Sequence, residues 1–121
     1  MRLPQSAPQT PFEVLPILRR GRWQEIALWW PSASALIVAE AVGTAPAFAL
    51  GRRAGAHPLL RVSGPPAALT SRRPEVLLVG HGRALQSHGA TALDEALAHW
   101  RSDIPRLLVK LPSLLFAARG N

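Results

Sequence analysis

Apolar positions along the chain fall into short runs of changing period, punctuated by proline and glycine. Residues 12–18 (FEVLPIL) alternate loosely around Val14, Leu15 and Ile17, which predicts a short strand. Pro16 has no N–H to give to a ladder, so that strand belongs at a sheet edge or carries a bulge there. Residues 19–22 form a turn in which Gly21 can take a positive φ. The next run, 23–30 (WQEIALWW), sets Trp23, Glu25, Ala27 and Trp29 on one side and Gln24, Ile26, Leu28 and Trp30 on the other. Together the two runs predict a β-hairpin. After a second turn at 31–34, residues 35–42 (ALIVAEAV) read as one continuous strand buried on both faces and broken only by Glu40.

Beyond this the period fades. Residues 45–64 predict loops with a short helix, and 65–71 one helical turn with proline at its start. Residues 75–79 (EVLLV) form a further strand that ends at Gly80-His81-Gly82. Thr91 stands as an N-cap with Asp94 three residues on, ahead of a helix over 92–101. That helix carries Leu93, Ala96, Leu97 and Trp100 on one face. Asp103 caps a last segment rich in leucine, in which Pro105 is tolerated and Pro112 kinks or splits the helix. Three strands, an irregular connection, another strand and then helices predict a mixed α/β layer with helices on one face. Residues 1–11 read as an extended N-terminal segment and 12–121 as a single domain.

Composition narrows the classes. A chain of 121 residues has room for one domain. With 48% apolar and 17% charged residues it is too oily for a disordered charged tail. The absence of cysteine excludes disulfide scaffolds, thiolate nucleophiles and Cys-ligated zinc. The longest oily stretch, 26–50, is interrupted by Pro31, Glu40 and Pro46. A central Glu costs about 2.5–3.5 kcal/mol in a spanning helix, so no transmembrane segment is expected and the default address is the cytoplasm. The net charge of +7 would attract nucleic acid or an anionic membrane. The segment 104–119, with Arg106, Lys110 and Arg119, has the character of a membrane-surface helix. No RNA- or DNA-reading motif accompanies the charge, and solvated arginine on loops is the favoured account of it.

Four histidines are present. His81 closes an apolar strand between two glycines, the place where α/β sheets present side chains to ligands. Glu40 is an acid in an apolar run and needs a cation, a metal or hydrogen-bond donors. His57 has a structural role in a loop, His88 an exposed loop position, and His99 the polar side of a helix. No Gly-x-Ser-x-Gly elbow, dinucleotide or phosphate loop, or zinc-helix histidine pair occurs.

The blocks 23–30, 35–44 and 74–82 (PEVLLVGHG) resemble the C-terminal half of a metallo-β-lactamase-fold hydrolase, over residues 12–118. In that family one strand delivers a metal-bridging carboxylate and a later one ends in Gly-His-Gly with the last histidine ligand. The resemblance implies that Glu40 and His81 hold those positions. It also implies a partial αββα-type sandwich, about one half, of short, mostly antiparallel strands followed by C-terminal helices. The family's His-x-His-x-Asp-His motif is absent, and Glu40 stands where the family has Asp. Zinc is the implied metal, yet two ligands do not fill a catalytic shell of three plus water. The expectation is therefore a truncated or divergent metallo-hydrolase-like chain that binds zinc weakly or not at all and hydrolyses nothing on its own. The alternatives are a metal-dependent hydrolase completed by another chain and a basic nucleic-acid- or membrane-surface-binding module. A missing second sheet would leave an apolar face of Ile26, Leu28, Leu36 and Val38 open to a homo-oligomer or protein partner.

Overall fold

Two-residue alternation in the first runs produces the strands it predicts. In the computed structural model, which describes residues 11–20 and 23–119, β1 (Glu13–Arg20) and β2 (Trp23–Trp30) form an antiparallel hairpin. Strand β3 (Ala35–Val38) pairs antiparallel with β2. The register shifts between Pro16 and Leu18, and β1 lies at the sheet edge, as a missing N–H requires. The turn glycine, Gly21, lies outside the described residues.

From β3 the chain leaves the sheet for residues 39–75. This stretch holds β4 (Val42–Gly43), α1 (Pro46–Ala49) and β5 (Gly55–Ala56), with β4 and β5 paired as a small separate ladder. It also holds two 3₁₀ turns, Pro58–Val62 and Ala67–Thr70. Strand β6 (Val76–Val79) then returns parallel to β3, giving the order β1-β2-β3-β6. Helices α2 (Gly89–Ala98) and α3 (Ile104–Arg119) follow. The chain is thus mixed α/β, with short strands ahead of its C-terminal helices. Among the described residues no helix is long and apolar enough to cross a membrane.

The core lies on one side of the sheet. Leu15, Ala27, Leu36 and Leu77 pack there with Leu93, Ala96 and Trp100, all at most 8% exposed. The periodic face expected of the helix is the one it buries. Leu36 and Val38 belong to this core side, whereas Ile26 points the other way and is 40% exposed. The four residues expected to share one open face are therefore divided between two.

Other expectations are corrected by hydrogen bonds that sequence does not show. The run 35–42 is not one strand: β3 stops at Val38, because the N–H groups of Glu40 and Ala41 turn aside to the Glu25 carboxylate. Thr91 is not an N-cap, since α2 already starts at Gly89. Its leading N–H groups donate to backbone, Gly89 to the Glu75 carbonyl at 2.9 Å and Ala90 to the Pro74 carbonyl at 2.7 Å. Asp94 is left to pair with Arg73 at 2.7 Å. The Asp103 carboxylate does not cap α3 but accepts from Arg52 Nε at 2.8 Å and Nη2 at 3.1 Å. Helix α3 runs through Pro112 without being split.

Arg61 ties the long connection to α2. It is 1% exposed, and Nη1 donates to the His99 and Trp100 carbonyls at 3.2 and 3.0 Å. Its Nη2 donates to the Phe48 carbonyl at 2.7 Å. A guanidinium at the end of a helix meets the negative end of its dipole and the carbonyls the helix leaves unpaired. Trp100 Nε1 returns a bond to the Leu60 carbonyl at 2.9 Å, closing the clasp.

Two predictions follow from these buried charges. Arg61→Ala strands the Phe48 and Trp100 carbonyls, while the His99 carbonyl keeps the Asp103 N–H at 3.1 Å; it is expected to lower stability by about 3 kcal/mol, read from urea unfolding. A loss under ~1 kcal/mol would show that water replaces the guanidinium. The Arg52 hydrogen bond and charge hold the Asp103 carboxyl below the usual carboxylate range. Its contribution is therefore complete above that range and fades as pH falls through the lowered value. Arg52→Ala should cost about 1–3 kcal/mol at neutral pH, and the gap from wild type should close in acid. A gap that stays constant with pH would contradict this.

Candidate functional site

The parallel register places the site. Val38 is the partner of Val79, so the residues two beyond each strand end, Glu40 and His81, emerge side by side. Glu40 Oε2 and His81 Nε2 lie 2.9 Å apart. Both side chains are nearly half exposed, at 46% and 45%. Glu40, expected within an apolar strand, sits instead in the bend beyond β3; the buried acids are Glu25, at 7%, and Asp103, at 5%.

The glycines around His81 serve this approach. A Cβ on Gly80 would collide with the Ala39 carbonyl. Gly82 has φ +107°, and a Cβ there would overlap Thr44 Oγ1. The His81 carbonyl accepts from the N–H groups of Thr44 and Ala45 at 2.9 and 3.2 Å, locking the two strand-tip loops together.

Beneath the bend, Glu25 accepts from the Glu40 N–H at 2.8 Å and the Ala41 N–H at 2.7 Å. Burial pushes the Glu25 carboxyl above its usual range, against these two bonds, and the nearby Glu40 charge adds to the rise. Glu25 thereby fixes the backbone that carries Glu40. The alternation of β2 sets Glu25 on the same side as buried Ala27, the one sequence signal for its role.

An aromatic wall completes the site. The Phe48 ring stacks on His81, centroids 5.0 Å apart and planes 18° apart. His57 meets Phe48 edge-on at 5.4 Å and Trp23 edge-on at 4.8 Å. His57 Nδ1 accepts from the Leu59 N–H at 3.0 Å, so in the neutral ring the proton resides on Nε2. Burial lowers the His57 pKa; the Glu40 charge opposes this and His81 adds to it. The structural role expected of His57 is the one it plays. His88 is exposed and opens α2 with φ 57°, and His99 closes α2 with Nδ1 3.3 Å from Ser102 Oγ.

Chemically the arrangement is an imidazole oriented by a carboxylate. With Nε2–H directed at Glu40, the other nitrogen of a neutral His81 ring keeps its lone pair. Glu40 and His81 supply two donors, short of the three protein ligands of a catalytic zinc. His57 offers no third lone pair, because its Nδ1 faces an N–H and its Nε2 carries the proton. Among the described residues no three His, Cys, Asp or Glu side chains gather as a metal-holding group.

The Glu25 tie is testable. Glu25→Gln keeps one acceptor and turns an NH2 toward the other backbone N–H. It should cost about 1–3 kcal/mol and speed hydrogen exchange at the amide of Glu40 or Ala41. Unchanged protection at both would show that the bend holds without it. In comparison with known proteins, no family model, curated protein or solved structure matches this chain.

Proposed function

We propose that the chain is a divergent metallo-hydrolase-like half domain, of metallo-β-lactamase type, that carries out no hydrolysis on its own. One observation carries the reading: Glu40 and His81 emerge from neighbouring parallel strand ends and meet at 2.9 Å. Those are the two positions at which the resemblance implies a carboxylate and a terminal histidine. The rest of the ligand set is wanting, since the sequence has no His-x-His-x-Asp-His and the pair is closed on itself. A direct carboxylate–imidazole bond keeps the histidine oriented.

A second reading is favoured by the exposure of the pair. Both side chains are open enough for another chain to reach, and such a chain could supply the missing ligands of a metal-dependent hydrolase.

Calorimetric titration of zinc into the purified chain tests both. The expected result is no stoichiometric binding at sub-micromolar affinity and no ester or thioester turnover. Tight stoichiometric zinc, lost in both His81→Ala and Glu40→Ala, would overturn the first reading. Zinc binding that arises only on adding a protein carrying His-x-His-x-Asp-His would favour the second.

A further inference from the structure

Helix α3 turns its apolar side outward. Val109 is 80% exposed, Leu108 62% and Leu111 39%, and Pro105 and Pro112 are exposed beside them. At about 100° per residue these five positions cover roughly 160° of the helix circumference. Over residues 104–114 every position within that arc is apolar. The body of the protein takes a different side. Leu107, Lys110 and Leu114 are only partly exposed, and a Cβ on Gly51 would lie 3.2 Å from Lys110 Nζ. A helix packed on a globular domain turns its apolar stripe to the core and its charges to water. Helix α2 does so, with Leu93 and Ala96 buried; α3 does the reverse.

The charges on α3 have one sign. Ile104–Arg119 contains Arg106, Lys110 and Arg119 and no acidic residue. Arg106 is exposed and, with Lys110, borders the apolar arc. Asp103, the acid just ahead of the helix, is already paired with Arg52.

We propose that this side of α3 lies flat on an anionic lipid surface. Leu108, Val109 and Leu111 enter the acyl boundary, while Arg106 and Lys110 meet the headgroups from the border. Charge selects this occupant. An α3-to-α3 contact between two copies would join helices of the same sign, with no acid in 104–119 to answer Arg106 and Lys110. An extended anionic plane also draws on the rest of a chain of net charge +7, whereas an acidic groove senses only charges within about 10 Å. With 16 residues, the helix is shorter than the ~20 a bilayer crossing takes, so it lies on the surface. The proposal stands apart from whatever Glu40 and His81 do.

Flotation of the full chain with phosphatidylcholine vesicles, with and without phosphatidylserine, tests this. The chain should float with the mixed vesicles, far less with phosphatidylcholine alone, and the bound fraction should fall severalfold as salt is added. Leu108→Ser combined with Val109→Ser should weaken binding about tenfold or more. Arg106→Gln combined with Lys110→Gln should remove the preference for phosphatidylserine. Thermal unfolding followed by circular dichroism should be unchanged in both; if the serine pair unfolds, Val109→Ser carries the test alone. Absence of flotation with the mixed vesicles would overturn the proposal. So would flotation that ignores salt, that is equal on the two vesicle types, or that survives the serine pair. Flotation lost in Ile26→Ser but kept in the serine pair would move the contact to the sheet and overturn it too. Self-association or binding to poly-glutamate, in place of flotation, would give this side of α3 to a second copy or an acidic protein and sink the lipid assignment.

Discussion

Two strands that run the same way cannot be joined by a tight turn, and β3 and β6 run the same way. The chain must therefore leave the sheet after Val38 and come back 37 residues later, along residues 39–75. Almost every other feature is a consequence. The small β4–β5 ladder, α1 and the two 3₁₀ turns are what that excursion contains. The meeting of Glu40 with His81 is its end point, because the Val38–Val79 register brings the following residues level. Were the register to slip by one residue, the pair would lie on opposite faces.

An excursion of this kind exposes backbone groups that no ladder satisfies, and two buried charges meet them. Glu25 offers its two oxygens to the N–H groups of the bend after β3. Arg61 offers its two terminal nitrogens to three carbonyls, two of them where α2 ends and one on α1. Neither has an opposite charge as its hydrogen-bond partner. Each instead neutralises its field against backbone dipoles, which fixes orientation more tightly than an ion pair between flexible side chains. Arg52 and Asp103 add an ordinary paired charge across the same region.

Site and surface are separate on this scaffold. At the strand ends, an oriented imidazole stands between a carboxylate and the ring of Phe48. Along α3, apolar side chains face outward beside a basic border. The first is a product of loop closure and the second of helical spacing. A substitution can therefore change one and leave the other intact.

Local pattern was enough for the elements made of local pattern. Alternation in 23–30 marked β2 and its two sides, Pro16 marked the edge and its irregularity, and the spacing of Leu93, Ala96 and Trp100 marked the buried side of α2. The apolar run before Gly80 and the glycines about His81 also pointed to a strand tip with close backbone neighbours. What could not be read were choices between equivalent partners far apart in the chain. The carboxylate of Glu25 took the N–H groups that would have extended β3. Arg52 took Asp103 away from the helix start it was expected to cap. The carbonyls of Pro74 and Glu75 opened α2 two residues before Thr91. Hydrogen-bonding groups are alike wherever they sit along the chain, and only their placement in space says which donor reaches which acceptor.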